Sequence, residues 1–144
     1  MFVNETTLRV RYAETDQMGF VYYGNYAQYY EVGRVAAMRE LGVSYREMEE
    51  KGIIMPLLSM STKYIKPAHY DDLLTIKTYV KELPKVRMKF EYEIFNPAGD
   101  LINIGDTVLV FVDPIRKKPC GAPEWFMNVI KNKLPHMFEN SKKN

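Results

Sequence analysis

Between Tyr12 and Tyr26 the chain reads Tyr-Ala-Glu-Thr-Asp-Gln-Met-Gly-Phe-Val-Tyr-Tyr-Gly-Asn-Tyr. This sets the carboxylate of Asp16 in a short glycine-flanked loop just ahead of a helix start. The first turn of a helix holds backbone N–H groups with no internal partner, and the aligned peptide dipoles there favour negative charge. A carboxylate beside such a turn outlines a reaction site. The acid can act as nucleophile or base, and the N–H groups can stabilise charge developing on a substrate oxygen. Gly19 and Gly24 permit positive φ and close approach of a substrate to the backbone. An aspartate in a loop also serves as a turn or cap residue, so the pattern alone leaves both roles open. Glu14 is the rival acid, and its parity and distance from the helix start assign it to solvent as a loop charge.

Other chemistries find no support. No serine-centred elbow, glycine-rich phosphate loop or metal-binding histidine motif is present, which disfavours a serine hydrolase, a kinase or a metalloenzyme. His69 and His136 are too few and too far apart in sequence for a metal site, and both read as surface residues. The single Cys120 excludes an intramolecular disulfide and a cysteine zinc cluster; it reads as a free thiol and fits a reducing compartment. The net charge is only +2, with basic residues dispersed among acidic ones, so no nucleic-acid partner is required. Met1-Phe-Val-Asn-Glu-Thr lacks a basic region followed by a long apolar run, and no window approaches the roughly 18 apolar residues that span a bilayer. A cytoplasmic protein without a membrane span is expected.

The elements that must position the loop follow from periodicity. With 144 residues, 47% of them hydrophobic, the chain suits one domain with a sizeable core. Thr6, Leu8, Val10 and Tyr12 alternate with Thr7, Arg9 and Arg11, which predicts a half-buried strand from Thr6 to Tyr12. Asn25 with Gln28 suits a helix N-cap, and Gly42 suits a terminator, so a helix is predicted from Tyr26 to Leu41. Its many apolar or small residues predict extensive burial, and Gly33 within it predicts close approach by a strand. Ser44-Tyr-Arg-Glu47 forms a second capping box, opening a short helix that Gly52 can end.

Period-two strands are predicted at 57–66, 73–83, 86–95 and 101–112. Asn96-Pro-Ala-Gly-Asp100 joins the last two as a hairpin, and Gly105-Asp106 suits a bulge. Residues 115–123 read as loop and 124–134 as a terminal helix. The tail from Glu139 to Asn144 reads as frayed. Tyr26, Tyr29 and Tyr30 read as aromatic core. Glu31 and Arg34, three apart, can pair with each other.

The string Asp16-x-x-Gly19-x-Val-Tyr22-Tyr23-x-Asn25-Tyr26, with Glu31 and Arg34 after it, resembles the hotdog-fold acyl-CoA thioesterases. The branch is that of 4-hydroxybenzoyl-CoA thioesterase and the YbgC-like enzymes. The similarity runs from about Leu8 to Asp113 and includes Lys66-Pro67-Ala68, Asp72-Leu-Leu-Thr-Ile and Leu109-Val-Phe-Val-Asp113. It implies an α+β hotdog fold, a five-stranded antiparallel sheet wrapped around a long central helix. One domain over 1–144 is implied, with its core at about 6–113 and a C-terminal loop and helix at 114–144.

The resemblance further implies hydrolysis of an acyl-CoA thioester to free acid and coenzyme A, with no metal and no cofactor beyond the coenzyme A of the substrate. Asp16 is then the nucleophile or general base. The backbone N–H of Tyr23 polarises the thioester carbonyl; tyrosine stands here as in the hydroxybenzoyl-CoA enzyme, where YbgC-like chains often carry histidine. Gly19, Gly24, Asn25 and Glu31 are implied substrate-binding residues. Lys85 and Arg87 are implied anchors for the nucleotide phosphates, and Lys63 and Lys66 are further cations available for them. A homodimer or homotetramer with sites across subunits is implied, and an acyl carrier protein thioester would present the same pantetheine arm. The rival readings are a non-catalytic hotdog protein that binds acyl-CoA or an acylated carrier, and a hotdog dehydratase, against which the lack of histidine near the loop counts.

Overall fold

Alternating apolar and charged residues become strands when one face finds a core, and here the core is built on a single long helix. The computed structural model describes residues 1–134, so the readings for His136 and for the tail from Glu139 to Asn144 lie outside the described residues. In chain order the elements are β1 (Phe2–Arg9), α1 (Tyr26–Leu41), α2 (Tyr45–Glu50), β2 (Leu57–Tyr64), β3 (Leu73–Val80), β4 (Arg87–Phe95) and β5 (Leu101–Val110). A small pair, β6 (Val112–Asp113) and β7 (Lys118–Pro119), then precedes α3 (Glu124–Lys133). The large sheet has the order β1-β3-β4-β5-β2 with every pairing antiparallel, which makes β1 and β2 the edges. The architecture is the expected five strands and one long helix.

Helix α1 crosses one face of the sheet against β1, β3 and β4. Gly33 is the point of closest approach: a Cβ there would lie 2.6 Å from Thr78 Oγ1 and 2.9 Å from Ile76 Cγ2. The helix has the predicted bounds, and Gly42 ends it at φ 98°. Tyr26, Tyr29, Tyr30, Ala37, Met38 and Leu41 are buried on its sheet side, while Gln28, Glu31 and Val32 are exposed. The expected extensive burial is therefore confined to one side of the helix within this chain. The predicted capping box at Ser44 is present in its first half, with Glu47 N–H donating to Ser44 Oγ at 3.0 Å.

Several local readings need correction. The first strand begins at Phe2 and stops at Arg9, because the N–H of Arg11 is taken by the Glu14 carboxylate and the chain turns there. Tyr12 starts a 3-10 turn and is exposed. Asn25 does not cap α1 with its side chain, since its amide donates to the Glu14 carbonyl oxygen instead. No bulge forms at Gly105-Asp106: the ladder runs evenly through Tyr92↔Gly105 and Glu91↔Asp106. Glycine stands at 105 because the Tyr30 ring fills the space a Cβ would need.

The loop predicted at 115–123 contains the β6–β7 turn, with Lys117 at φ 55°. Phe126 and Ile130 of α3 join the core beside Phe111, so the core extends past the expected limit at 113 as well as ahead of Thr6. Among the described residues no helix is long and apolar enough to cross a membrane.

Candidate active site

After β1 the chain folds back on itself through a set of main-chain bonds that aim the Asp16 loop at the start of α1. Thr15 bridges to Val21, Asp16 N–H donates to Phe20 O at 2.8 Å, and Gly19 N–H donates to Asp16 O at 3.0 Å. This tight closure requires φ +81° at Gly19, a conformation that costs glycine nothing. Asp16 Oδ1 accepts Met18 N–H at 2.9 Å and Phe20 N–H at 3.2 Å, so one carboxylate oxygen holds the loop. The other oxygen has no such tie among the described residues.

Past the loop, Val21 N–H donates to Ala68 O, which fastens this segment to the stretch between β2 and β3. A 3-10 turn over Tyr23–Asn25 leads straight into α1. As its first residues, Tyr23 and Gly24 carry N–H groups that the turn cannot pair internally. Gly24 does not take positive φ; its lack of a Cβ makes room for the Tyr22 ring, whose Cε1 would lie 2.8 Å away. The Tyr23 carbonyl accepts the Tyr64 hydroxyl at 3.2 Å, tying the turn to the end of β2.

These pieces border an open cleft of about 280 Å³. Asp16, Phe20 and Val21 form one wall, Tyr23 and Tyr26 a second, and Tyr64, Ile65, Lys66 and Pro67 a third. The lining is largely aromatic and apolar, with one carboxylate and one ammonium, and Lys66 Nζ is held 3.4 Å from Asp100 Oδ2. A cleft of this kind can bury an acyl group while keeping one acid and a helix start beside its reacting carbon.

The other residues singled out in the sequence lie elsewhere in the chain. Asn25 faces Glu14, 2.8 Å from its carbonyl oxygen. Glu31 is exposed and does not pair with Arg34, whose Nε donates to the Tyr45 hydroxyl at 3.2 Å; both line a second pocket beside Tyr45, away from the Asp16 cleft. Lys85 and Arg87 stand at the start of β4, beside Val110 and Ala122, whereas the cleft adjoins the opposite end of the sheet. Nine residues of β4 at 3.3 Å rise put Arg87 roughly 26 Å from Phe95. Lys63 points to the far face of the sheet, near Tyr79 and Lys81.

Glu14 is the largest correction. It is buried rather than solvated, because its carboxylate accepts Arg11 N–H at 2.8 Å and the Tyr29 hydroxyl at 3.1 Å. Burial first, and then the Glu14 charge, push the Tyr29 phenol far above its ordinary range, so it stays a donor. Tyr64 and Phe20 were also missed as lining residues. The only signal near Tyr64 was its position just before Lys66-Pro67-Ala68.

Known proteins are similar to this chain along most of its length. YneP of Bacillus subtilis is 37% identical over 129 residues, which is 87% of this chain and 94% of YneP. The acyl-CoA thioester hydrolase YbgC of Escherichia coli is 30% identical over 117 residues, 81% of this chain and 87% of YbgC. The solved structure of a DHNA-CoA thioesterase from Staphylococcus aureus superposes with a TM-score of 0.89 at 34% identity, covering 100% of this chain and 97% of that one. The model of the thioesterase-like superfamily matches residues 10–130, from the end of β1 through most of α3, and the chain belongs to that superfamily, with the hotdog fold of its structural neighbours.

Proposed function

We infer that this protein is an acyl-CoA thioesterase that hydrolyses a thioester to a free acid and coenzyme A. The observation that carries the reading is the shared cleft: Asp16 and the 3-10 turn that opens α1 face one apolar cavity. Relatives named for thioester hydrolysis support the reaction class. In the general-base route Asp16 takes a proton from water as the water oxygen attacks the thioester carbon. In the nucleophilic route an Asp16 oxygen attacks that carbon itself, and water then cleaves the mixed anhydride.

In both routes the carbonyl oxygen gains negative charge, which the Tyr23 N–H stabilises, and collapse of the adduct breaks the C–S bond. The coenzyme A thiolate leaves and takes up a proton. The aromatic walls favour a flat or branched apolar acyl group, and an acyl carrier protein thioester would bring the same pantetheine arm to the cleft. Gly19 shapes the acid's loop, Gly24 keeps the turn compact, and Glu31, Lys85 and Arg87 are assigned to substrate bound at a neighbouring copy's cleft.

The test is thiol release across a panel of aromatic and aliphatic acyl-CoA esters, together with an acyl carrier protein ester. Turnover on at least one ester, lost in Asp16→Asn, is the expected result. Tight acyl-CoA binding with no thiol released would instead leave a non-catalytic acyl-CoA binder.

A further inference from the structure

Glu14 takes no part in the chemistry above, yet it is the hub of the hydrogen bonds around it. Its main-chain oxygen accepts Tyr22 N–H at 2.9 Å and Asn25 Nδ2 at 2.8 Å. Its carboxylate accepts Arg11 N–H at 2.8 Å and the buried Tyr29 hydroxyl at 3.1 Å, both on Oε1. Arg11 Nη2 lies 3.3 Å from Oε2, but that guanidinium is 78% exposed, so the contact adds little.

One residue thereby joins the start of the loop, the segment after it, the 3-10 turn and the first turn of α1. Asp16 follows Glu14 by two residues, and the Tyr23 N–H follows the clamped Tyr22 directly. Burying a carboxylate is costly unless hydrogen bonds hold it in good geometry. The cost is met here at a place where a shift would move both reacting groups.

We propose that Glu14 is a positioning residue, which with Asn25 and Tyr29 sets the separation and orientation of the Asp16 carboxylate and the Tyr23 N–H. The proposal rests on the thioesterase reading. Position, rather than charge, is what Glu14 supplies, because its Oε1 is the atom that accepts both inner donors. Glutamine keeps that oxygen; alanine does not.

The experiment compares Glu14→Ala, Glu14→Gln and Tyr29→Phe with the wild type. It measures kcat on the best ester of the panel, Kd for a non-hydrolysable thioether analogue of that ester, and the thermal midpoint. Misplacement of about 1 Å can cost about 10²-fold in rate, so Glu14→Ala is expected to lower kcat by about that factor with the analogue Kd unchanged. Glu14→Gln is expected to restore most of the loss. Should Glu14→Ala fail to fold, Tyr29→Phe carries the test, with reduced kcat and unchanged Kd expected. An unchanged kcat in that variant overturns the proposal, as does a Glu14→Gln enzyme as slow as a folded Glu14→Ala. A wild type that releases no thiol removes the thioesterase reading and this role with it; an active wild type matched in kcat by Glu14→Ala removes the positioning role alone.

Discussion

Asp16 lines the cleft while its Oδ1 accepts two main-chain N–H groups, and among the described residues no hydrogen bond holds Oδ2. An amide at this position can keep its oxygen on the same two donors, so Asp16→Asn preserves the loop while removing the base or nucleophile. The expected loss in kcat is about 10²–10⁴-fold, with circular dichroism and oligomer size unchanged. Tyr23 contrasts with this, because its proposed contact is a main-chain N–H and its phenol is exposed. Tyr23→Phe should therefore remain close to wild type on the same ester. A fall as deep as that of Asp16→Asn would mean that the phenol enters the chemistry.

Between α1 and the sheet, packing is set by the two glycines and the tyrosines they admit. Gly33→Ala brings a methyl within 2.6 Å of Thr78 Oγ1, so the helix must lift from β3. Overpacking costs about 1–3 kcal/mol and the alanine gains about 1 in helix propensity, so net destabilisation of up to about 2 kcal/mol in urea unfolding is expected. An unchanged midpoint would show that the helix seat is looser than its contacts imply.

Facing Gly105, the Tyr30 ring stacks on Tyr92 at 4.5 Å and 10° between planes. Burial pushes both phenols up from 10.0 to about 12. Between those values the folded state holds protons that the unfolded chain has released, so stability is complete below pH 10 and falls as pH rises towards 12. Urea midpoints measured across that window should decline, and a midpoint that stays level would contradict the burial of these phenols.

Taken as a whole, the described residues leave the β2 edge of the sheet without a strand partner. Leu57, Leu58, Met60 and Tyr64 of edge strand β2 are all exposed, next to the exposed rings of Tyr22 and Tyr23. An apolar strand whose outer edge has no strand partner among the described residues invites another strand, and a second copy related by a twofold axis supplies an identical one. Light scattering should therefore find a dimer or a larger even assembly; an active monomer would remove this part of the account. If that assembly forms, it offers Lys85 and Arg87 the substrate-binding role proposed for them at a neighbouring copy's cleft, since they lie a strand's length from their own. Lys85→Ala with Arg87→Ala should raise KM for a coenzyme A ester modestly and leave a truncated pantetheine ester unaffected, because exposed ion pairs are screened within about 8–10 Å. Equal loss on both esters would reassign these residues to solubility or to a carrier-protein surface.

What residue order alone determined was local. The bounds of α1, its stop at Gly42, the cap at Ser44, the hairpin turn at Asn96 to Asp100, half of β1 and most of β2 to β5 follow from periodicity and turn chemistry within a few neighbouring residues. The place of Asp16 before a helix start was legible for the same reason. Tertiary structure alone decided what depends on distant segments. It brought Tyr64 to Pro67 against Asp16, buried Glu14 under Tyr29, turned Asn25 from a cap into a tie, and set Gly105 beneath a ring in place of a bulge. Contacts between residues tens of positions apart leave no period in the sequence. A charge two residues from Asp16 has the same local appearance whether it faces water or a buried hydroxyl, and only the packed helix distinguishes the two.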